Sequence, residues 1–307
     1  MQNRPKKIAV LLPCYNEAGA IEHVVSSFKK YLPEATIYVY DNNSTDNTAQ
    51  LAEKAGAKVD YEFRQGKGYV VASMFKEIEA DIYVLADGDG TYDACYARDM
   101  INHLLDKKLD MIVGNRMSSY SETLTRKGHS VGNRFISQSL KILFGSHLND
   151  VLSGYRVMTR KFVKNCPLIT TGFEIEVFMT IHALEIKAKV QEIEIDYKDR
   201  HEGTESKLNT YKDGLKIVLT IFRLFKDMKP IIFFSLFAIA FFLLGLFVGI
   251  PVIAEFIATS QVNKFPSAIL AAGLMVLSAI SLTAGVILDS IARGKTEIKR
   301  MLFQTVL

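Results

Sequence analysis

From Lys7 to about Arg200, short apolar runs of strand length alternate with stretches of helical spacing. Ile8–Leu12, Ile37–Tyr40, Val59–Phe63, Ile82–Ala86 and Met111–Val113 are rich in β-branched residues and bounded by polar or turn-forming ones, which predicts strands. Ala20–Tyr31, Asn47–Ala55, Tyr69–Ile78 and Ala97–Asp106 repeat apolar residues at helical spacing. The second of these helices is expected to start from Asp46 as N-cap and to stop at Gly56. Strand–helix alternation predicts an α/β fold with a mostly parallel sheet and helices on both faces. In such sheets ligands bind beyond the carboxyl ends of the strands, so the polar residues that follow each run are where chemistry is expected.

The last quarter of the chain has a different pattern. Ile231–Ala254 and Ala268–Leu288 carry no charge, and each has the roughly 20 residues that cross a hydrocarbon core. The short polar turn Glu255–Ser267 between them predicts a helical hairpin. Basic residues flank the outer ends (Arg223, Lys226, Lys229; Arg293, Lys295, Lys299, Arg300), while the turn holds only Lys264. By the positive-inside rule both termini are expected in the cytoplasm. Leu208–Met228 reads as an amphipathic helix that fits either the membrane interface or the surface of the globular part. Met1–Lys7 is short and polar and the apolar run after it is brief, so no secretory signal is expected. The expected organisation is a catalytic domain over 1–207, a juxtamembrane helix over 208–230, and two transmembrane helices within 231–307 (about 231–254 and 268–288) followed by a short cytoplasmic tail.

Composition narrows the functions. With 37 Lys and Arg against 33 Asp and Glu, the net charge of +4 is too weak to mark a nucleic-acid binder. Cys14, Cys95 and Cys166 are scattered, which excludes a disulfide scaffold and a paired-cysteine metal site. Neither apolar span has an ionisable residue midway, against a transporter.

The strongest local motif is Asp87-Gly88-Asp89-Gly90-Thr91, which follows the run Asp81–Ala86. Two carboxylates at a strand exit can converge on a hard cation such as Mg²⁺ or Mn²⁺ and on a pyrophosphate, and the glycines let phosphate approach the backbone. Asp-x-Asp turns are common, and the position at a strand end gives this one its weight. Pro13-Cys14-Tyr15-Asn16-Glu17 and Asp41-Asn42-Asn43-Ser44-Thr45-Asp46 put carboxylates and an aromatic at the same edge, suited to ribose hydroxyls and a base. Neither has the glycine pattern of a dinucleotide fold or a P-loop. Cys14 reads as a packed residue, and the six histidines read as structural. Lys67, in a glycine-flanked turn, fits a donor contact or a solvated loop equally. Glu174 and Glu176 fit an acceptor contact or, somewhat better, a helix cap. Arg156 fits a brace for Asp150 or a phosphate ligand. Ser118–Lys127 is polar and aperiodic and reads as a loop of the kind that closes over a donor.

In order along the chain, Pro13–Glu17, Asp41–Asp46, Gln65-Gly66-Lys67-Gly68 and Asp87–Thr91 resemble the family 2 glycosyltransferases of the GT-A fold. Gly114-Asn115-Arg116, Gly132-Asn133-Arg134, Asp150–Arg156 and Arg200–Lys207 resemble the branch that loads a sugar onto a polyprenyl or dolichyl phosphate, the bactoprenol glucosyltransferase and dolichol-phosphate mannosyltransferase type. The resemblance spans about the first 230 residues, and the apolar hairpin suits the same branch. It implies that Pro13, Tyr15, Glu17 and Asp41 surround the base and ribose. It implies that Asp87 contacts the nucleotide or its metal shell and that Asp89 binds Mg²⁺ or Mn²⁺. Arg116 with Arg126 or Arg134 would hold the acceptor phosphate, Asp150 occupies the place of an acidic residue important for transfer, and Arg200 and Lys207 would steady the departing diphosphate. Many relatives carry Gln where Thr91 stands, which puts a ligand role for Thr91 in doubt. The implied partners are a nucleotide sugar (a uridine donor by the resemblance), undecaprenyl or dolichyl phosphate and the bilayer; relatives also assemble as tetramers.

The chemistry agrees with that assignment. A departing nucleotide diphosphate concentrates negative charge, which cations offset. A phosphate monoester with its second pKa at about 6 is ionised at neutral pH, so the acceptor needs alignment more than a base. Arginine aligns phosphate by bidentate contact. The expected function is therefore inverting, metal-dependent sugar transfer to polyprenyl phosphate at the cytoplasmic face. The alternatives are an anchored transferase with a non-lipid glycan acceptor and a non-catalytic membrane scaffold. A processive polysaccharide synthase is disfavoured, because the chain has no Trp and a single hairpin builds no channel.

Overall fold

A computed structural model of the chain describes residues 6–116, 138, 141, 145, 148–167, 175–197, 222, 223 and 225–305. The strands are β1 (Ile8–Cys14), β2 (Thr36–Asp41), β3 (Lys58–Tyr61), β4 (Ile82–Leu85), β5 (Met111–Asn115), β6 (Arg156–Thr159) and β7 (Val190–Glu194). The helices are α1 (Ile21–Tyr31), α2 (Thr48–Lys54), α3 (Lys67–Glu77), α4 (Tyr96–Asp106), α5 (Arg160–Asn165), α6 (Ile175–Glu185), α7 (Pro230–Thr259) and α8 (Phe265–Thr305). Two compact units divide the chain, Met1–Leu215 with Lys299–Leu307, and Lys216–Ile298.

The first unit is built on a seven-stranded sheet in the order β3-β2-β1-β4-β6-β5-β7. β1 pairs in parallel with both β2 and β4, β2 with β3, and β5 with β7, whereas β6 runs antiparallel between β4 and β5. The sheet is mostly parallel, as the alternation predicts. Every residue of β1 is buried, and its side chains alternate between two cores. Val10, Leu12 and Cys14 join α1 (Val24, Val25, Phe28) and α4 (Met100, Ile101, Leu104) on one face. Ala9 and Leu11 join α3 (Val70, Val71, Met74), α5 (Phe162) and α6 (Ile175, Met179) on the other. The last residues of the chain also belong to this unit: Phe303 enters the second core, and Lys299 Nζ lies 2.8 Å from Glu185 Oε2.

Local signals act as expected at the end of α2. Gly56 takes φ +88°, its amide reaches the Glu53 carbonyl (2.8 Å), and the Ala57 amide reaches that of Ala52 (3.0 Å), closing the helix with a Schellman pair. At the other end the N-cap is Asn47, one residue later than Asp46. The Asp46 carboxylate is shared between the Thr48 amide (3.0 Å) and the Ala18 amide (3.1 Å), so it ties two loops together instead of occupying the cap position.

In the second unit α7 and α8 run against each other. Ser278 Oγ donates to the Ala238 carbonyl (2.8 Å), Gly245 faces Met275, Gly249 faces Ala271 and Gly285 faces Phe234. Rising positions on one helix meet falling positions on the other, which makes an antiparallel hairpin with small residues at the contact. Both helices are long and apolar enough to cross a membrane, and only 17% and 11% of their apolar windows are buried. These side chains therefore do not form the core of a water-soluble bundle. Residues 208–221 of the expected juxtamembrane helix lie outside the described residues.

Candidate active site

The site lies where β1 has β2 on one side and β4 on the other, the switch point of the sheet. Cys14 at the end of β1 is the register partner of Asp41 at the end of β2, so Pro13, Tyr15, Glu17 and Asp41 share one edge. The loops behind them are laced together. The Asn16 amide donates to Ser44 Oγ (2.9 Å), the Thr45 amide to Asn16 Oδ1 (2.7 Å) and the Glu17 amide to Thr48 Oγ1 (2.8 Å). Asn16 and Asn43 adopt left-handed φ of 52° and 62°, which asparagine tolerates better than most residues. Asp41 is buried; its Oδ2 accepts from the Ser44 amide (3.0 Å), and its Oδ1 has no hydrogen-bond partner among the described residues. A buried oxygen left in that state costs about 1–3 kcal/mol, which a ligand hydroxyl or N–H would offset. Tyr15 stands partly exposed beside it. Burial pushes the Cys14 thiol well up, and the charges of Glu17, Asp41, Asp87 and Asp89 push it further. The thiol is thus no nucleophile, and the same four carboxylates all act on one buried atom.

Asp87 and Asp89 follow β4. Asp87 Oδ1 lies 2.5 Å from Lys67 Nζ, and the same ammonium lies 2.6 Å from Glu176 Oε1. Lys67 is the first residue of α3, placed by Gly66 at φ +137°, a geometry that favours glycine. Asn42 Oδ1 receives the Gly66 amide (2.7 Å), which anchors that turn to the end of β2. Burial works against the Lys67 charge, but Asp87 and Glu176 outweigh it and raise its pKa. Lys67 is therefore no solvated loop residue, and the Glu176 side chain pairs with it from the first turn of α6. A Cβ at Gly154 would stand 2.8 Å from Asp87 Oδ2, and one at Gly88 would run into Cys14 Sγ, so both glycines make room at the motif. Asp89 is buried and accepts from Thr91 Oγ1 (2.7 Å) and the Thr91 amide (3.2 Å).

The other charged set follows β5. Arg116 grips Asp150 with Nε to Oδ2 (2.7 Å) and Nη2 to Oδ1 (2.9 Å), and its own amide reaches Oδ2 (3.1 Å). Its guanidinium lies 5.2 Å from the Tyr197 ring centre and 6.0 Å from that of Tyr92, while Nη1 donates to the Tyr92 hydroxyl (3.2 Å). Asp150 is fully buried and Arg116 nearly so; removing one partner of such a pair costs about 3–5 kcal/mol. Glu192 on β7 supports the pair from behind. Its Oε1 accepts the amides of Asn149 (2.7 Å) and Asp150 (2.8 Å), and its Oε2 accepts from the side chains of Asn149 (3.1 Å) and Asn115 (3.2 Å). Burial raises the Glu192 pKa against these amide donors, with the Asp150 charge adding to the rise. Arg156 is wholly buried and donates to the carbonyls of Ser153 (3.0 Å) and Val151 (2.9 Å), which makes it a brace for the turn after Asp150 rather than a phosphate ligand.

Tyr92 and Tyr197 join the two sets, and the sequence reading assigned them nothing. They form a β-bridge with ring centres 5.4 Å apart. Tyr197 is hydrogen-bonded to Thr91, and the Tyr92 hydroxyl accepts the Gly154 amide (2.9 Å). No local pattern marked them, since the strand that precedes Tyr197 reads as polar. Arg126, Arg134, Arg200 and Lys207, with Glu174 and the 118–127 loop, lie outside the described residues.

Asp87 and Asp89 offer only oxygen, the donor set of a hard cation, and Asp87 already holds one cation in the Lys67 ammonium. No group of three or more metal-binding side chains occurs among the described residues. A divalent ion on this loop would therefore take its other ligands from substrate oxygens and water.

Residues 9–166 match the model of glycosyl transferase family 2. The chain is 31% identical over 272 residues to glycosyltransferase AglJ of Haloferax volcanii, covering 88% of this chain and 89% of that one. It is 26% identical over 211 residues to a dolichyl-phosphate hexose transferase of the same organism, covering 68% and 90%. Glucosyl-3-phosphoglycerate synthase from Mycobacterium tuberculosis, crystallised with Mn²⁺, uridine diphosphate and glucosyl-3-phosphoglycerate, matches with a TM-score of 0.58 over 71% of this chain and 80% of that chain, at 19% identity, a likeness of fold. With an acidic loop at the switch point of a GT-A sheet and a family match across it, the chain belongs to glycosyl transferase family 2 and is a glycosyltransferase.

Proposed function

We propose that the chain transfers a sugar from a uridine diphosphate donor to the phosphate of a polyprenyl lipid, inverting the anomeric carbon, with Mg²⁺ or Mn²⁺ bound. The observation that carries this reading is the meeting of an acidic loop and an ion-paired arginine at one sheet edge. Asp87 and Asp89 stand on one side, Arg116 with Asp150 on the other, and Tyr92 and Tyr197 lie between. A relative named for transfer of hexose to dolichyl phosphate and a similar fold holding Mn²⁺ and uridine diphosphate support it.

In this account Pro13, Tyr15, Glu17 and Asp41 take the base and ribose, Asp41 through its buried Oδ1. Asp89, with Asp87 beside it, holds the divalent ion, which when bound neutralises the diphosphate as a leaving group. Lys67 adds a fixed positive charge at the donor. Asp150 sets the plane of the Arg116 guanidinium, which presents one orientation to the acceptor phosphate; Arg126 or Arg134 supplies the second cation. The lipid phosphate is ionised at neutral pH, its second pKa being about 6, so no side chain has to remove a proton. A phosphate oxygen bonds to the anomeric carbon as the carbon–oxygen bond to the diphosphate breaks, and the electron pair leaves on the diphosphate, steadied by Arg200 and Lys207. The two apolar helices span the bilayer, both termini lie in the cytoplasm, and the catalytic domain (1–207) works where a lipid phosphate emerges.

The test is a screen of labelled nucleotide sugars with the full chain in detergent, offered polyprenyl phosphate and soluble glycans side by side, with products identified by mass. A sugar-phosphate-polyprenyl product from a uridine donor is expected. Label passing only to soluble glycans would overturn the lipid acceptor, and donor binding without turnover would favour a scaffold.

A further inference from the structure

Lys67 has two carboxylate partners where one would neutralise it, and they come from separate elements, the loop after β4 and the first turn of α6. The partners differ in exposure. The Asp87 side chain is 30% exposed, while those of Lys67 (13%) and Glu176 (6%) are much less so. Lys67, Asp87 and Glu176 thus carry one positive and two negative formal charges, one carboxylate more than the ammonium needs. A buried ammonium deprived of its only counter-charge is strongly unfavourable, so a lysine paired with Asp87 alone would resist giving it up. The second, deeper carboxylate removes that obstacle.

We propose that Lys67 is an exchangeable cation on Asp87: as donor and divalent ion bind, Asp87 passes from the ammonium to the ion, and Glu176 retains the ammonium within the donor site. Glu176 is then a positioning residue that acts through Lys67. This rests on the reading of Asp87 and Asp89 as the metal-holding pair. The exchange fits the geometry because Asp87 is the open end of the trio and Gly154 closes its other side, so its carboxylate has one cation to trade and one direction in which to trade it. A static tie between α3, the acidic loop and α6 would need no such asymmetry of exposure.

The two ideas separate by sign. Mn²⁺ is titrated into the full chain in detergent at saturating uridine diphosphate, and free Mn²⁺ is read by electron paramagnetic resonance. Under exchange, Lys67→Gln removes the competing cation and Mn²⁺ binds about tenfold tighter, whereas Glu176→Gln leaves the ammonium with Asp87 alone and Mn²⁺ binds about tenfold weaker. Folding of each variant is checked by circular dichroism; if Lys67→Gln does not fold, Lys67→Met, which fills similar space, carries the same expectation. Weaker binding in both variants would make the trio a structural tie and overturn the exchange, as would no change in either. A wild-type chain that binds uridine diphosphate but no Mn²⁺ would overturn the metal reading itself, and the exchange with it.

Discussion

The two charged clusters at the sheet edge are built on opposite plans. Beside the acidic loop, Asp87 and Glu176 share the Lys67 ammonium, the Asp87 carboxylate is partly open, and hydrogen bonds from Thr91 reach Asp89. Around Arg116 the cation is already matched by Asp150 through two side-chain contacts, stacked on tyrosines and backed by Glu192. The first cluster has one carboxylate more than its ammonium neutralises and suits a cation that arrives with its substrate. The second is closed and pre-organised, and suits a substrate that must be aligned. In the proposed reaction, which moves a sugar from a diphosphate to a phosphate, this division would put the adjustable charge at the donor and the fixed geometry at the acceptor.

Substitutions on each side test this division of labour. The largest effect is expected from Asp89→Ala, which removes the cation's carboxylate: kcat/KM falls by about 10³ while far-UV circular dichroism is unchanged. Activity within a few-fold of wild type would show that the acidic loop does not act through a metal. Arg116→Lys keeps the charge but loses the fork, and a fall of about 10², expressed against polyprenyl phosphate and not against the nucleotide sugar, is expected in steady-state kinetics. A matching rise in donor KM would mean that the clusters are not divided as described. Glu192→Gln loosens the Asp150 backbone and should lower kcat about tenfold with donor KM unchanged. The smallest effect lies outside both clusters. Burial pushes the His182 imidazole down to about 4, against an unfolded value of about 6.5. The unfolded chain therefore takes up a proton that the folded one refuses, so this residue's contribution to stability is full above about pH 6.5 and declines as pH falls towards 4. His182→Phe should flatten that stretch of the stability–pH curve measured by thermal unfolding, and an unchanged slope would assign the acid sensitivity elsewhere.

What the sequence made legible follows from how local each signal is. β1, β2, β4 and β5 are buried on both faces or nearly so and read as short apolar runs. The acidic motif was read correctly as lying at a strand end. β7 was missed because Val190-Gln191-Glu192-Ile193-Glu194 looks polar, although its Glu192 is the residue that supports Asp150. α3 begins at Lys67 and not Tyr69, since Gly66-Lys67-Gly68 reads as a turn until Asp87 and Glu176 give the lysine a place inside. Tyr92 and Tyr197 meet across more than a hundred residues, a pairing set by the sheet order and carried by no local pattern. α8 runs on to Thr305, well beyond the uncharged stretch that ends at Leu288, because its charged end finds Glu185 and its Phe303 finds the second core.

The most direct test of the central claim is the anomalous scattering of Mn²⁺ in crystals of the chain grown with uridine diphosphate. One peak is expected, bonded to Asp89 and to oxygens of the nucleotide diphosphate, with Arg116 still holding Asp150. Nucleotide bound with Mn²⁺ remote from Asp87 and Asp89, or nucleotide lodged away from the ends of β1 and β4, would contradict it.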